Sequence, residues 1–186
     1  MSATEPLEQA IAVARGVLAG VNKEDLDKST PCASWKVRDV VNHLVDGADF
    51  FATGMGSEAA GVGDVTSGDY RGAFDDAAAR TLAIFSAPGA LAQTAKLPFG
   101  EMPGAALMGL ATSDIFTHAW DLAKATGQST DLNPELAAQI LPQVEQAVPD
   151  MFRGAEGSGM PFGPKQEAPG GCTNADKIAA FLGRTV

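Results

Sequence analysis

The sequence has 186 residues and a formal net charge of −10, and 45% of its residues are hydrophobic against 19% charged. This composition is typical of one globular domain, and it excludes a disordered chain and a membrane protein, because no apolar run reaches the roughly 18 to 20 residues that cross a bilayer. The acidic charge and the absence of a Lys/Arg cluster argue against nucleic-acid binding, which requires a basic surface.

The first half of the chain predicts three helices. Residues 5–20 place apolar side chains at helical spacing. A proline in TPCASW (30–35) indicates a turn, and a second helix follows over about 36–53 with Val, Leu, Ala and Phe residues on one face. The glycine-rich residues 54–69 predict a flexible loop, and a third helix is expected over 70–86.

The second half begins with a short segment, 94–102, that we interpret as extended or loop, with at most a marginal strand. A fourth helix is predicted over 103–126, with Gly127 as its stop. A fifth helix is expected from Asn133 to Val148, and Pro142 should bend or interrupt it.

Residues 152–172 are rich in Gly and Pro and predict a long irregular segment. A last short helix is expected over 174–182, capped by Thr173 with Asp176 three residues on. Four long helices with short additions imply a mostly α protein, a helical bundle whose site is built in the core from facing helices.

The helix over 103–126 carries the strongest functional signal. Asp114, His118 and Asp121 lie within about 60° of one another on a helical wheel, because each residue advances by roughly 100°. The rest of this helix is apolar nearly all round, which predicts that it is buried. A carboxylate in such a place needs a base, a hydrogen-bond network or a metal ion as partner.

A third ligand is offered by His43, which is the only other histidine in the chain. It is expected at the edge of the apolar face of the second helix, and Gly47 and Gly54 share its stripe. From the residues alone, two interpretations stay open. Either His43, Asp114 and His118 bind a divalent ion, or His118 forms a buried polar network with an aspartate while His43 lies at a boundary.

Two longer motifs resemble a known family. TPCASWKVRDVVNHL (30–44) and DIFTHAWDLAKATGQ (114–128) are similar to paired signatures of the actinobacterial mycothiol-dependent maleylpyruvate isomerase-like proteins, which are part of the DinB-like four-helix-bundle superfamily. FGEMPG (99–104) and the near-terminal LGR (182–184) are similar to members as well. The resemblance covers the chain from end to end.

The resemblance implies an up-down four-helix bundle over residues 1–149, with a short C-terminal extension over 150–186 packed on it. It also implies a metal site formed by His43, Asp114 and His118, with zinc as the expected divalent ion and mycothiol as the thiol co-substrate. The reaction implied is isomerisation, transfer or conjugation of a small electrophile. From the sequence itself, an N-terminus without a signal-peptide pattern predicts the cytoplasm, and the charge and composition predict no nucleic-acid or membrane partner. The oligomeric state is left open, and an oligomer is possible.

Two departures from the family limit what carries over. The well-characterised isomerases have a glutamate where this chain has the shorter Asp114, and they have a fuller C-terminal domain. Isomerase specificity is therefore not transferred. Two alternatives stay open, a non-catalytic metal- or ligand-binding protein of the same fold and a metal-assisted hydrolase that uses bound water.

Other side chains have open roles. We expect Asp121 to orient a ligand histidine from behind, although it could bind the metal itself or cap a loop. Trp35 and Trp120 are expected to pack in the core, and Cys32 to be a small buried thiol rather than a redox or soft-metal ligand. Arg184 is expected in a surface or helix-terminal salt bridge, with an anionic substrate as the alternative. The 54–69 loop could be a mobile lip over the site or an ordinary loop.

Overall fold

The computed structural model describes residues 2–32, 34–155 and 157–186. Six α-helices, three 3-10 helices of three residues each and one β-hairpin account for its regular structure within those ranges. In chain order the elements are α1 (Glu5–Ala19), α2 (Val37–Gly54), α3 (Tyr70–Phe85), β1 (Thr94–Leu97), β2 (Gly100–Pro103), α4 (Gly104–Ala125), α5 (Pro134–Ala147) and α6 (Asn174–Phe181). The chain is therefore mostly helical, as the sequence predicts.

Helices α1 to α4 form the bundle. Helix α4 packs on α1 and α2, while α3 packs on the other side of the same two helices, so that the order around the bundle is α1, α4, α2, α3. Helix α4 is buried on nearly all sides, as its continuous apolar composition requires. The C-terminal helix α6 packs on α4 and α5, which brings the end of the chain to the bundle.

Capping explains several of the helix boundaries. After α4, Gly127 adopts a φ of 71°, and its N–H bonds to the carbonyl of Lys124. The next N–H, of Gln128, bonds to the carbonyl of Ala123, which completes a Schellman motif. Helix α6 begins with a capping box, in which Thr173 and Asp176 exchange side-chain to backbone hydrogen bonds of 3.0 and 3.1 Å. The predicted stop and start are both confirmed.

The segment predicted as extended or loop is an antiparallel hairpin. Its register pairs Thr94 with Pro103 and Leu97 with Gly100, which leaves Pro98 and Phe99 at the tip. The sequence signal was weak because Pro98 and Pro103 both fall in this short segment. The hairpin leads directly into α4 and places Phe99, which is 69% exposed, beside the first turns of that helix.

Helix α5 runs through Pro142 as one continuous helix. Of the two effects expected of Pro142, an interruption of the helix does not occur, and a bend stays a prediction. Proline removes one intrahelical hydrogen bond, but the buried face formed by Leu136, Ile140 and Val144 continues on both sides of it. Packing of that face holds the helix together across the proline.

Within the described ranges, no helix combines the length and the apolar character that a bilayer crossing requires.

Candidate metal centre

The structure brings His43, Asp114 and His118 together between α2 and α4. His43 Nε2 lies 3.3 Å from both carboxylate oxygens of Asp114. His118 Nε2, one turn further along α4, lies 3.6 Å from Asp114 Oδ1. One potential ligand atom from each residue falls within 4.8 Å of the others. Three donors on two facing helices therefore converge on one point.

The opposite nitrogen of His118 faces Asp121, at an Nδ1–Oδ2 distance of 3.0 Å. Asp121 is fully buried, and both of its oxygens also accept hydrogen bonds from Arg184, at 2.9 Å from Nη2 and 3.2 Å from Nε. An ionised carboxylate accepts only, so His118 donates from Nδ1 and keeps the lone pair of Nε2 directed at Asp114. This is the arrangement expected of a carboxylate that orients a metal-binding histidine.

Arg184 lies elsewhere than the sequence predicts. It is buried, with only 8% of its surface exposed, and it pairs with Asp121 across the interface between the chain end and α4. Its guanidinium also donates to the carbonyl of Leu182 and to Cys32 Sγ, at 3.0 and 3.3 Å. The expected surface or helix-terminal salt bridge is therefore wrong. A buried aspartate with no lysine or arginine on the same face of its helix was the signal that a distant arginine should supply the charge.

A second set of candidate ligands, Cys32, His118 and Asp121, also lies within 4.8 Å. The guanidinium of Arg184 already contacts Cys32 and Asp121 in that set. A cation therefore already balances the one carboxylate of this set, whereas the described residues place no arginine or lysine on Asp114. The set with His43 is the better candidate for a metal.

Trp35 contacts both histidines as well as the core. Its ring stacks on His118 at a centroid distance of 5.6 Å and 20°, and tilts over His43 at 4.9 Å. Trp35 is half-buried and packs against the hydrophobic core, and Trp120 is fully buried, so both tryptophans pack as expected. The indole fixes both imidazoles from one side and leaves the other side open.

The charges of the site favour an anionic Asp114. Burial alone would raise the pKa of Asp114, but the electrostatic interaction with the His118 imidazole and the hydrogen bond from His43 outweigh it and lower the pKa. Burial likewise would lower the pKa of His43, yet the hydrogen bond and charge of Asp114 raise it. The negative charge of Asp114 would be balanced either by a proton shared with His43 or by a metal ion.

The donor set fits a zinc ion. Two ligands on a tetrahedral ion with bonds of about 2.1 Å lie about 3.4 Å apart, which is the ordinary spacing of nitrogen and oxygen donors around zinc. The distances of 3.3 and 3.6 Å between Asp114 and the two imidazoles match that spacing. Asp114 reaches both imidazoles even though it is one methylene shorter than a glutamate.

Gly47 leaves room on the α2 side. A Cβ there would lie 3.4 Å from Asp114 Oδ2 and 3.6 Å from His43 Nε2.

A pocket of about 920 Å³ opens from this centre. It is lined by α2, the hairpin, α4 and the end of α5, together with Phe162, Leu182 and Arg184. No residue of the 54–69 loop lines it. Asp49 and Asn42, on α2, instead accept hydrogen bonds from the backbone N–H groups of Ala60 and Val65 in that loop. The alternative of a glycine-rich lip over the site is wrong.

Comparison with known proteins gives a family match. Residues 7–123 match the family model described as mycothiol maleylpyruvate isomerase N-terminal domain. The chain is similar to two proteins described as uncharacterized, from Mycobacterium tuberculosis strains CDC 1551 and ATCC 25618 / H37Rv. Each is 43% identical over 174 residues, which covers 91% of this chain and 91% of the relative. No solved structure matches the chain.

Proposed function

The chain belongs to the family of the mycothiol maleylpyruvate isomerase N-terminal domain, and from this premise we propose that it is a divalent-metal- and thiol-dependent enzyme acting on a small electrophile. The observation that carries the proposal is the convergence of His43, Asp114 and His118 at the floor of an open pocket. Zinc is the proposed ion and mycothiol the proposed thiol. The reaction class is isomerisation, transfer or conjugation.

The contacts of the site residues support a separate role for each of them. His43, Asp114 and His118 would hold the ion, and Asp121 fixes the nitrogen that His118 presents. Bound there, a divalent cation supplies the positive charge that keeps an incoming thiol deprotonated near neutral pH. Trp35 covers the histidines on one side, and we expect reactants to approach from the pocket.

The size of the pocket supports a reaction between two molecules. Small-molecule sites span roughly 300–1,000 Å³, and this pocket, at about 920 Å³, is near the upper end. A thiol at the metal centre would leave space towards the rim for a second reactant. Holding two reactants in contact removes much of the entropic cost of their encounter.

The metal part of the proposal is tested by zinc titration of purified, chelator-treated protein against a chromogenic chelator. We expect one zinc per chain, and a loss of affinity of at least about tenfold in Asp114→Asn. Asp46→Asn is the matched control, because Asp46 lines the same pocket but is not among the grouped ligand atoms. Equal zinc affinity in wild type and Asp114→Asn contradicts the site.

The thiol part is tested on the cobalt-substituted protein. Addition of mycothiol should produce the near-ultraviolet absorption of a sulfur–cobalt bond in the wild type, and none in His43→Ala.

Tight metal binding without that absorption, and without conversion of any electrophile, would instead favour the second candidate, a non-catalytic metal-binding protein. That candidate is favoured by one observation: Arg184 lines the pocket, but its guanidinium is already paired with Asp121 and so is not free to bind an anionic reactant. Thiol-independent cleavage of model esters would point to a hydrolase.

A further inference from the structure

The part of the pocket that lies away from the metal centre has mostly apolar walls. Leu110 on α4 and Val144 and Val148 at the end of α5 face it, and Phe50, Phe99 and Met102 form its outer side. Phe50 and Phe99 stand 6.3 Å apart at 26°, and 38% and 69% of their surfaces are exposed. Two exposed aromatic rings at a pocket mouth offer flat faces on which a planar apolar group can stack.

The side-chain charges along the outer part of this pocket are unsuited to an anion. Its lining includes two carboxylates, Asp46 and Asp114, and its arginine is already neutralised because Arg184 donates to both oxygens of Asp121. The other polar side chains of the outer part, such as Gln143 and Gln146, are uncharged. A carboxylate held between these outer walls would lose its water without gaining a cation from the side chains there, which costs free energy. Even if one carboxylate of a dicarboxylate reached the proposed ion, the second would lie unpaired between the outer walls.

We propose that the electrophile of this pocket is an uncharged molecule with a planar apolar portion, and that dicarboxylates are excluded. The inference rests on the proposed function for the identity of the site, but it concerns only the outer walls. The apolar portion stacks at Phe50 and Phe99 and extends along α4, while its reactive carbon points inward to the metal centre. Removing the exposed phenylalanine surface from water contributes to binding.

Gly109 provides the space along α4. A Cβ at this position meets only Gln143 Oε1, at 3.9 Å, so a larger side chain would extend into the pocket without striking the backbone. Gly109→Leu therefore fills the outer pocket from inside a regular helix. Gly16→Leu is its matched control, because Gly16 lies on the exposed face of α1 with nothing within 4 Å of its Cβ position.

The test compares two probes of the same shape, 2-naphthalenemethanol and 2-naphthoate, titrated into the zinc-free full chain at pH 8.5 and followed by calorimetry. We expect the alcohol to bind at least about tenfold more tightly than the carboxylate. Gly109→Leu should weaken binding of the alcohol by about tenfold or more, whereas Gly16→Leu should leave it unchanged. Circular dichroism of both variants establishes that they are folded.

A second pair of variants avoids any change in a helix. Phe99→Ser at the hairpin tip should weaken binding of the alcohol, and Phe152→Ser, which alters an exposed phenylalanine outside the pocket lining, should not. Equal or tighter binding of 2-naphthoate overturns the proposal, as does binding that neither Gly109→Leu nor Phe99→Ser weakens.

Zinc titration of the same protein samples separates this inference from the proposed function. Selective alcohol binding without zinc binding overturns the enzyme proposal alone. Zinc and thiol binding without selectivity between the probes overturns only the inference about the electrophile.

Discussion

Asp121 is the residue that joins the candidate ligand His118 to the buried Arg184. It has no exposed surface, and burial alone would raise its pKa, but the charge of Arg184 and the hydrogen bonds from His118 and Arg184 lower the pKa instead. We expect Asp121→Asn to reduce zinc affinity by about 10- to 100-fold, because an amide can present a donor to His118 Nδ1 and disfavour the tautomer that exposes Nε2.

The zinc titration against a chromogenic chelator, as used for Asp114→Asn, measures this loss of affinity. Asp176→Asn is the control, since Asp176 is also a buried aspartate but accepts its side-chain hydrogen bond from Trp120. A similar loss of zinc affinity in both variants would mean that general destabilisation, not orientation of His118, explains the result.

Cys32 should be a slow nucleophile. Burial raises the pKa of its thiol to about 11, even though the charge of Arg184 opposes this. In the Cys172→Ser background, we expect iodoacetamide at pH 8.5 to alkylate native Cys32 roughly 100-fold more slowly than the unfolded chain, because far less thiolate is present. Mass spectrometry of timed samples measures both rates. Equal rates would show that Cys32 is freely accessible and ionised.

At this scale the sequence predicts some side chains well and others poorly. Helical spacing is enough to place Asp114, His118 and Asp121 on one face, since that spacing is a local property. The prediction that His43 lies close to Asp114 and His118 depended on the family resemblance, because His43 is in a different helix. Arg184 and the stacking of Trp35 could not be predicted, because each contact joins segments that are far apart in the chain and is decided by packing.

Among the elements, helix α5 contains a proline that destabilises it. Pro142 lies inside the helix and cannot donate a backbone hydrogen bond, whereas Pro134 lies in the first turn, where no such bond is needed. Pro142→Ala should therefore raise the free energy of unfolding, by about 1–3 kcal/mol, and Pro134→Ala should not raise it. Urea denaturation of both variants checks this. A gain in Pro134→Ala alone would contradict the explanation.

Helix α6 is fixed to α4 by a carboxylate. Burial would raise the pKa of Asp176, but hydrogen bonds from Trp120 Nε1 and from Thr173 lower it. An unfolded aspartate titrates near about 3.9, so this stabilisation is fully present above that pH and is lost as the pH falls towards the lower pKa of the folded state.

Asp176→Asn tests that pH dependence. The variant should unfold about 1–2 kcal/mol more easily than wild type at pH 7, because a charge-assisted hydrogen bond is weakened. The difference should shrink as the pH falls from 5 towards 3, in urea denaturation series at each pH. A difference that is constant with pH would mean that the carboxylate charge is not involved.

Element boundaries were predictable where the signals are local. Capping residues and Gly127 mark the ends of α4 and the start of α6 correctly, because caps act within one turn. The hairpin at 94–103 was not clearly predicted, since its pairing and the placement of Phe99 depend on the packing of β1 and β2 beside α4.

At the scale of the whole molecule, the end of the chain completes a site whose ligand candidates all lie in the bundle. Leu182 and Arg184 line the pocket, and Arg184 is buried against Asp121 behind His118. The division at residue 149 into a bundle and an extension stays a prediction. The contacts indicate instead that the last residues and α4 act together, as a long-range ion pair in the interior requires.

Arg184→Met tests that dependence. Removing the cation leaves Asp121 buried and unpaired, so we expect the free energy of unfolding to fall by about 3–5 kcal/mol, while Asp121→Asn in the same chain should recover part of the loss. Urea denaturation of the wild type, both single variants and the double variant gives the coupling between the two residues. Arg15→Met is the control, since Arg15 pairs with Asp75 where both side chains are about half exposed. Additive effects of the two buried substitutions would mean that the chain end packs on α4 without stabilising Asp121 as an anion.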